Sequence, residues 1–240
     1  MTTLVTIHGA WATKKSFNYV VNHIHTYKDD GLDVHNFEYD SIDPPIGGLH
    51  HISDEMYGKL GSLRNDVVII GHSMGGILAL SLEKHPNVKK VITVSSPISG
   101  IVMNNMIKTF LTVRAPLLSH AMAGSSFIDS IKNQVYTKPV VNIVTTRGFN
   151  PAVFEQSDGV VTVNSQTSWA PSTSKLYTIQ DSHHEVLQSD ELCKIVKDEL
   201  YDNSYRFEDI IDNGITTVNP ETVRTFLLGK YAKNASKSKQ

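Results

Sequence analysis

A single cysteine, Cys193, stands among the 240 residues, so no internal disulfide can staple the chain and a reducing compartment is expected. It sits with Leu192, Ile195 and Val196 and reads as a buried apolar residue rather than a nucleophile. Long hydrophobic runs are missing too: none approaches the ~18 residues of a membrane span. Neither sign of charge dominates. A net charge of -2 and a pI near 6.6 give no sign of a nucleic-acid partner. The first β-rich run begins almost at Met1, so no secretory leader is expected and the chain reads as cytoplasmic. No H-E-x-x-H or comparable spacing joins its histidines, and no metal or other cofactor is expected.

What the sequence does contain is organised around Gly71-His72-Ser73-Met74-Gly75-Gly76. The run before it, Val67-Val68-Ile69-Ile70, is short and β-branched and reads as a buried strand. The run after it, Ile77-Leu78-Ala79-Leu80, continues with good helix formers. A strand therefore turns into a helix within a residue or two, with Ser73 on the turn. Glycines at 71 and 75 remove side chains that would collide there, and Ser73 Oγ stands exposed above the strand ends.

Strands and helices alternate on either side. Leu4–Ile7 is a first strand ending in His8-Gly9-Ala10-Trp11, and Ser16 can cap a helix through Phe17, Val20, Val21 and Ile24 that Gly31 stops. Asp33–Tyr39 is a second strand, and a weaker helix follows through Ile52, Met56 and Leu60. Val88–Val94, Val140–Thr145 and Leu176–Ile179 complete six strands, and Glu185–Leu200 reads as one closing helix. That order predicts an α/β domain over 1–201 with a mostly parallel sheet wound on both faces. The connection 98–136 is too long for a simple crossover. Its apolar residues, interrupted at Pro116 and resuming around Phe127, Ile128 and Ile131, read as a helical cap or lid. Residues 202–240 read as an appendage with one helix and a frayed basic tail.

A serine hydroxyl needs an adjacent base, and the base needs orienting. Side chains from different strands converge only at the strands' carboxyl ends, so both partners belong after strands five and six. The loop after strand five offers Asp158, backed by Gly159. Its place in the order serine, acid, histidine lifts it above a surface Asx turn, and the rival Asp181 lies so near the histidines that it reads as a cap for the last helix. The loop after strand six offers His183 and His184, of which only one can face the site. His50, His51, His23 and His25 read as surface residues. Gly9 permits a close approach of its loop, so the amides of Ala10 and Met74 could hold a developing oxyanion, with His8 bracing the loop.

These stretches together resemble the α/β-hydrolase superfamily in its lipase and esterase branch. His8-Gly9, Gly71 to Gly76, Ser157-Asp158-Gly159-Val160-Val161 and His183-His184-Glu185-Val186-Leu187 each resemble a family signature, in the family's order, over roughly Leu4 to Leu200. The resemblance implies Ser73 as nucleophile, Asp158 as acid and His183 as base. His183 takes that role because the family often writes His, any residue, Glu and two apolar residues here. The first two antiparallel strands of the family are absent, leaving a minimal fold. The expected activity is hydrolysis of a small uncharged ester with a short or medium acyl chain, taken from solution. The same triad serves lyases and acyltransferases on this fold, and a binding module could keep it unused.

Overall fold

Six runs of β-branched and apolar residues lie side by side in a sheet whose strand pairings are all parallel among the described residues. The structure is a computed structural model and describes residues 2–25, 31–102, 116–149 and 155–201. The strands are β1 Thr2–Ile7, β2 Asp33–Phe37, β3 Asp66–His72, β4 Val88–Val94, β5 Val140–Thr145 and β6 Ser174–Ile179. Their order across the sheet is β2-β1-β3-β4-β5-β6. Ile7 pairs with Gly71, Gly71 with Thr93 and Thr93 with Asn142, so neighbouring strands finish nearly level at one edge. The chain leaves β1 toward β2 on one side and β3 toward β4 on the other. Their carboxyl ends therefore flank the switch point where open α/β sheets form a crevice.

Residue alternation fixes which helices cover which face. Val5, Ile7, Val67, Ile69 and Val91 point into a core shared with α2 Leu49–Leu60, α3 Met74–Ser81 and α5 Ser126–Asn133. Leu4, Val68, Ile70, Ile92 and Ile143 point into the opposite core, shared with α1 Asn18–His25 and α7 Asp190–Tyr201. Each such buried side chain contributes ~1.5–3 kcal/mol. A one-residue slip would turn the outer strands' buried residues the wrong way, so packing sets the register. No described helix is long and apolar enough to cross a membrane.

Several expected boundaries move. Ser16 does not cap a helix; it lies inside a 3₁₀ turn, Lys14–Phe17, whose cap is Thr13, and α1 follows it. Pro116 opens α4 Pro116–His120, because a proline's missing N–H is harmless in the first turn. The closing helix is two pieces. A 3₁₀ turn, Glu185–Gln188, ends at Ser189, whose extended backbone (φ -90, ψ 129) breaks the run before α7. The second strand stops at Phe37 rather than Tyr39. Within the long connection, Leu117, Ala121, Phe127, Ile128 and Ile131 bury into the core beside α3. The helix expected through Met103, Met106 and Phe110, and the appendage 202–240, lie outside the described residues.

At the amino-terminal half of the sheet, Glu199 of α7 is buried and binds three strand residues. Its carboxylate accepts from Lys90 Nζ at 2.9 Å, Lys175 Nζ at 2.7 Å and Tyr177 Oη at 2.7 Å.

Candidate active site

Ser73 holds φ 54 and ψ -124, a backbone conformation that non-glycine residues rarely adopt. Two features hold it there. Its amide donates to Val94 O at 2.9 Å, extending the β3–β4 ladder, and α3 starts at the next residue. A Cβ at Gly71 would run into the Gly75 carbonyl, and one at Gly75 into the Ile7 carbonyl. Those absent side chains are what let helix, turn and β1 meet. Ser73 is itself only partly buried.

The loops after β5 and β6 bring Asp158 and His183 together. His183 Nδ1 lies 2.8 Å from Asp158 Oδ2, and the His183 amide donates to the Asp158 carbonyl at 2.9 Å. Both residues are buried. A carboxylate only accepts, so the imidazole proton sits on Nδ1 and Nε2 presents a lone pair. Asp158 is further held by Thr145 Oγ1 at 2.7 Å and by the amides of Val160 at 3.0 Å and Val161 at 2.8 Å. Burial pushes the Asp158 carboxyl up, but the bonds from His183, Thr145 and Val161 outweigh it and hold the group below the usual carboxylate range. The turn behind it places Gly159 at φ 97.

Thr145 is buried, as is Gln166 of α6 Val163–Thr167. Gln166 accepts from the Thr145 amide at 3.0 Å and donates to the Thr145 carbonyl at 3.1 Å. Neither residue is apparent from sequence as part of the site. The available signal is a polar residue closing a buried strand, which Thr145 shares with many strand ends.

His184 is exposed, its ring 5.0 Å from that of His183 and edge-on to it. Asp181 does not cap a helix: the turn begins at Glu185, and the residue before it is His184. Ser182 Oγ instead donates to Glu185 Oε2 at 2.8 Å, an oxygen that Arg147 also reaches at 2.7 Å.

Across the switch point, His8 is buried and braces its loop. Its ring stacks on Tyr39 at 4.5 Å, Nδ1 meets Gly9 O at 2.8 Å, and Nε2 accepts from the Tyr39 amide at 3.3 Å. Burial pushes its pKa down, keeping the ring neutral. The amides of Ala10 and Met74 have no hydrogen-bond partner among the described residues. No hydrogen bond among those residues joins the Ser73 hydroxyl to His183; the two loops meet instead through His72. His72 Nε2 lies 2.7 Å from the His183 carbonyl. Among the described residues no group of three His, Cys, Asp or Glu is placed to hold a metal ion.

A parallel sheet with a strained serine after its third strand and a carboxylate–imidazole pair after its fifth and sixth defines a class of enzymes. The model of the alpha/beta hydrolase family matches residues 4–191, and the chain belongs to that family. No curated protein sequence matches it. Among solved structures, the product of gene lin2722 from Listeria innocua is similar at TM-score 0.59 and 15% identity, over 84% of this chain and 94% of that one. A lipase-esterase related protein from Clostridium acetobutylicum is similar at TM-score 0.53 and 16% identity, covering 83% and 93%. A pyrethroid hydrolase from Sphingobium faniae is similar at TM-score 0.53 and 15% identity, covering 85% and 99%. At such identities the likeness is one of fold.

Proposed function

We propose that the chain is a serine hydrolase that cleaves a carboxylic ester through an acyl-enzyme on Ser73. His183 Nε2 takes the hydroxyl proton as Oγ attacks the ester carbonyl, and Asp158 stabilises the imidazolium that forms. The Ala10 and Met74 amides receive the oxyanion; removing one such donor typically costs ~10²–10³ in turnover. The imidazolium then protonates the leaving alkoxide, and water repeats the sequence to release the acid. The observation that carries this reading is the buried 2.8 Å contact between His183 Nδ1 and Asp158 Oδ2. The Ala10 and Met74 amides, without a partner among the described residues, support it.

The segment 98–136 is taken as a cap that helps shape the substrate pocket. Its apolar composition and its methionines, adaptable toward varied chains, suit an uncharged ester with a short or medium acyl group. A cytoplasmic setting fits the single cysteine. Each buried methylene adds ~0.8 kcal/mol, so kcat/KM on p-nitrophenyl esters should rise several-fold per carbon until the pocket ends. A flat profile, or a preference for long emulsified chains, overturns the substrate class. Ser73→Ala should lose ~10⁴-fold or more of turnover and all labelling by a fluorophosphonate. An alanine protein that keeps a tenth of the activity overturns the mechanism.

A further inference from the structure

His72 precedes the strained serine and is buried. Its Nε2 lies 2.7 Å from the His183 carbonyl oxygen, and a carbonyl only accepts, so Nε2 carries the proton and donates. That leaves Nδ1 as a bare lone pair, and it is buried with no partner among the described residues. Nδ1 faces the oxyanion loop: a Cβ at Gly9 would stand 3.1 Å from it. The ring centroid is 4.7 Å from that of His183. One imidazole thus touches the base loop by a hydrogen bond, the oxyanion loop by packing and the nucleophile through the chain. A ring kept only to fill space would do better without a buried unpaired nitrogen.

Among the described residues, the other two polar contacts of His183 both go to Asp158, one from its ring and one from its amide. Both contacts run to the loop after β5, and the bond from His72 ties the His183 main chain to the end of β3 as well.

We propose that His72 is a positioning residue whose Nε2–H holds the main chain of His183, fixing the imidazole's reach to the Ser73 hydroxyl. Burial pushes the pKa of His72 down to about 3, so the ring stays a neutral donor through any working range near neutrality. The inference rests on the serine-hydrolase reading of Ser73, Asp158 and His183.

Three variants test it: His72→Gln, whose amide nitrogen sits as many bonds from Cβ as Nε2; His72→Asn, which reaches only as far as Nδ1; and His72→Phe, which keeps a ring without a donor. With p-nitrophenyl butyrate, and with sites counted by fluorophosphonate titration, Asn and Phe should lose ~10- to 100-fold in kcat at nearly unchanged KM. Gln should stay within about fivefold of the parent. If all three merely melt earlier and keep full kcat per titrated site, His72 is structural and the proposal fails. It fails equally if Gln is as slow as Asn. Where Asn and Phe do not fold, Gln alone decides: a soluble, fast protein supports the donor role, and an insoluble or slow one overturns it. Proton NMR gives a readout that needs no substrate. The low-field Nδ1–H resonance of His183 should persist in the parent and Gln proteins and broaden or vanish in the other two; no change in any overturns the proposal. Ser73→Ala, run alongside, reports on the underlying reading: turnover surviving there sinks the serine mechanism itself.

Discussion

Gly9 and Ser73 face each other at the ends of the neighbouring strands β1 and β3, so close that a Cβ on Gly9 would stand 3.0 Å from Ser73 Cβ. That distance is shorter than ordinary contact, and His72 on the same side leaves little room to yield. Gly9→Ala should therefore displace either the serine or the Ala10 amide while the fold remains. The expected loss is ~10- to 100-fold in kcat with KM little changed. An alanine enzyme as fast as the parent would mean the loop moves freely and the approach has no part in turnover.

The two adjacent histidines should separate cleanly. His183 is buried on Asp158, whereas His184 is exposed. His183→Ala should abolish hydrolysis and His184→Ala should leave most of it. Steady-state rates on a single p-nitrophenyl ester suffice, and the reverse result would move the base by one residue.

Asp158→Asn should cost up to ~10⁴-fold in kcat, because an amide still bonds the ring but favours the tautomer with its proton on the wrong nitrogen. Thr145→Val removes one hydrogen bond to the same oxygen and should cost far less, about tenfold. Asp181→Asn should be nearly silent. A dead Asp181→Asn beside an active Asp158→Asn would reassign the acid.

Much of this arrangement is legible in the sequence. Val88–Val94 and Val140–Thr145 match β4 and β5 end to end, because each is rich in β-branched residues and lies between polar or proline punctuation. The elbow is equally plain, since two glycines one residue either side of a His-Ser-Met core have few other uses. The break at Ser189 is hidden although Ser189-Asp190-Glu191 is a good helix start: Val186, Leu187 and Leu192 carry the apolar stripe straight across it. Pro116 is ambiguous by itself, since the same residue can end one helix or open the next. His72 and Thr145 lie beyond sequence reasoning altogether. What they do is set by partners 111 and 13 residues away, respectively, and no local pattern encodes such a contact.

Acid should unfold the protein by way of groups distant from the serine as well as near it. Burial pushes the Glu199 carboxyl up, but hydrogen bonds from Lys175, Lys90 and Tyr177 outweigh it and hold the group below its ordinary value. A depressed carboxylate contributes stability that is full above its unfolded pKa of ~4.3 and lost as pH falls through the folded one. His72 acts in the same direction over a higher window. The unfolded chain takes up a proton below ~6.5 that the folded ring, at about 3, refuses, so stability rises with pH between those values. Urea midpoints should begin to decline as pH falls below ~6.5, through His72, and decline further below ~4.3, through Glu199. Midpoints level from about pH 6.5 to about 4.5 would contradict the His72 assignment, and midpoints level below about pH 4 would contradict that of Glu199.

Glu199→Ala removes the buried carboxylate that Lys90, Lys175 and Tyr177 share and should lower stability by ~3–5 kcal/mol. The kcat of the molecules that remain folded should not change. A loss of kcat per titrated site would show that the two ends of the sheet are coupled.

That separation along the strands has a bearing on descent. Lys90 precedes Val94, the last residue of β4, by four positions, which at roughly 3.3 Å per residue is about 13 Å of strand paired with β3 throughout. The ion cluster that anchors α7 and the loops that carry Ser73, Asp158 and His183 therefore draw on different residues of the same strands. Substitutions can accumulate around the serine, altering what is bound or even which bond is broken, while the reserve of stability at the far end stays intact. A scaffold divided in this way is free to change its trade without first relearning how to fold.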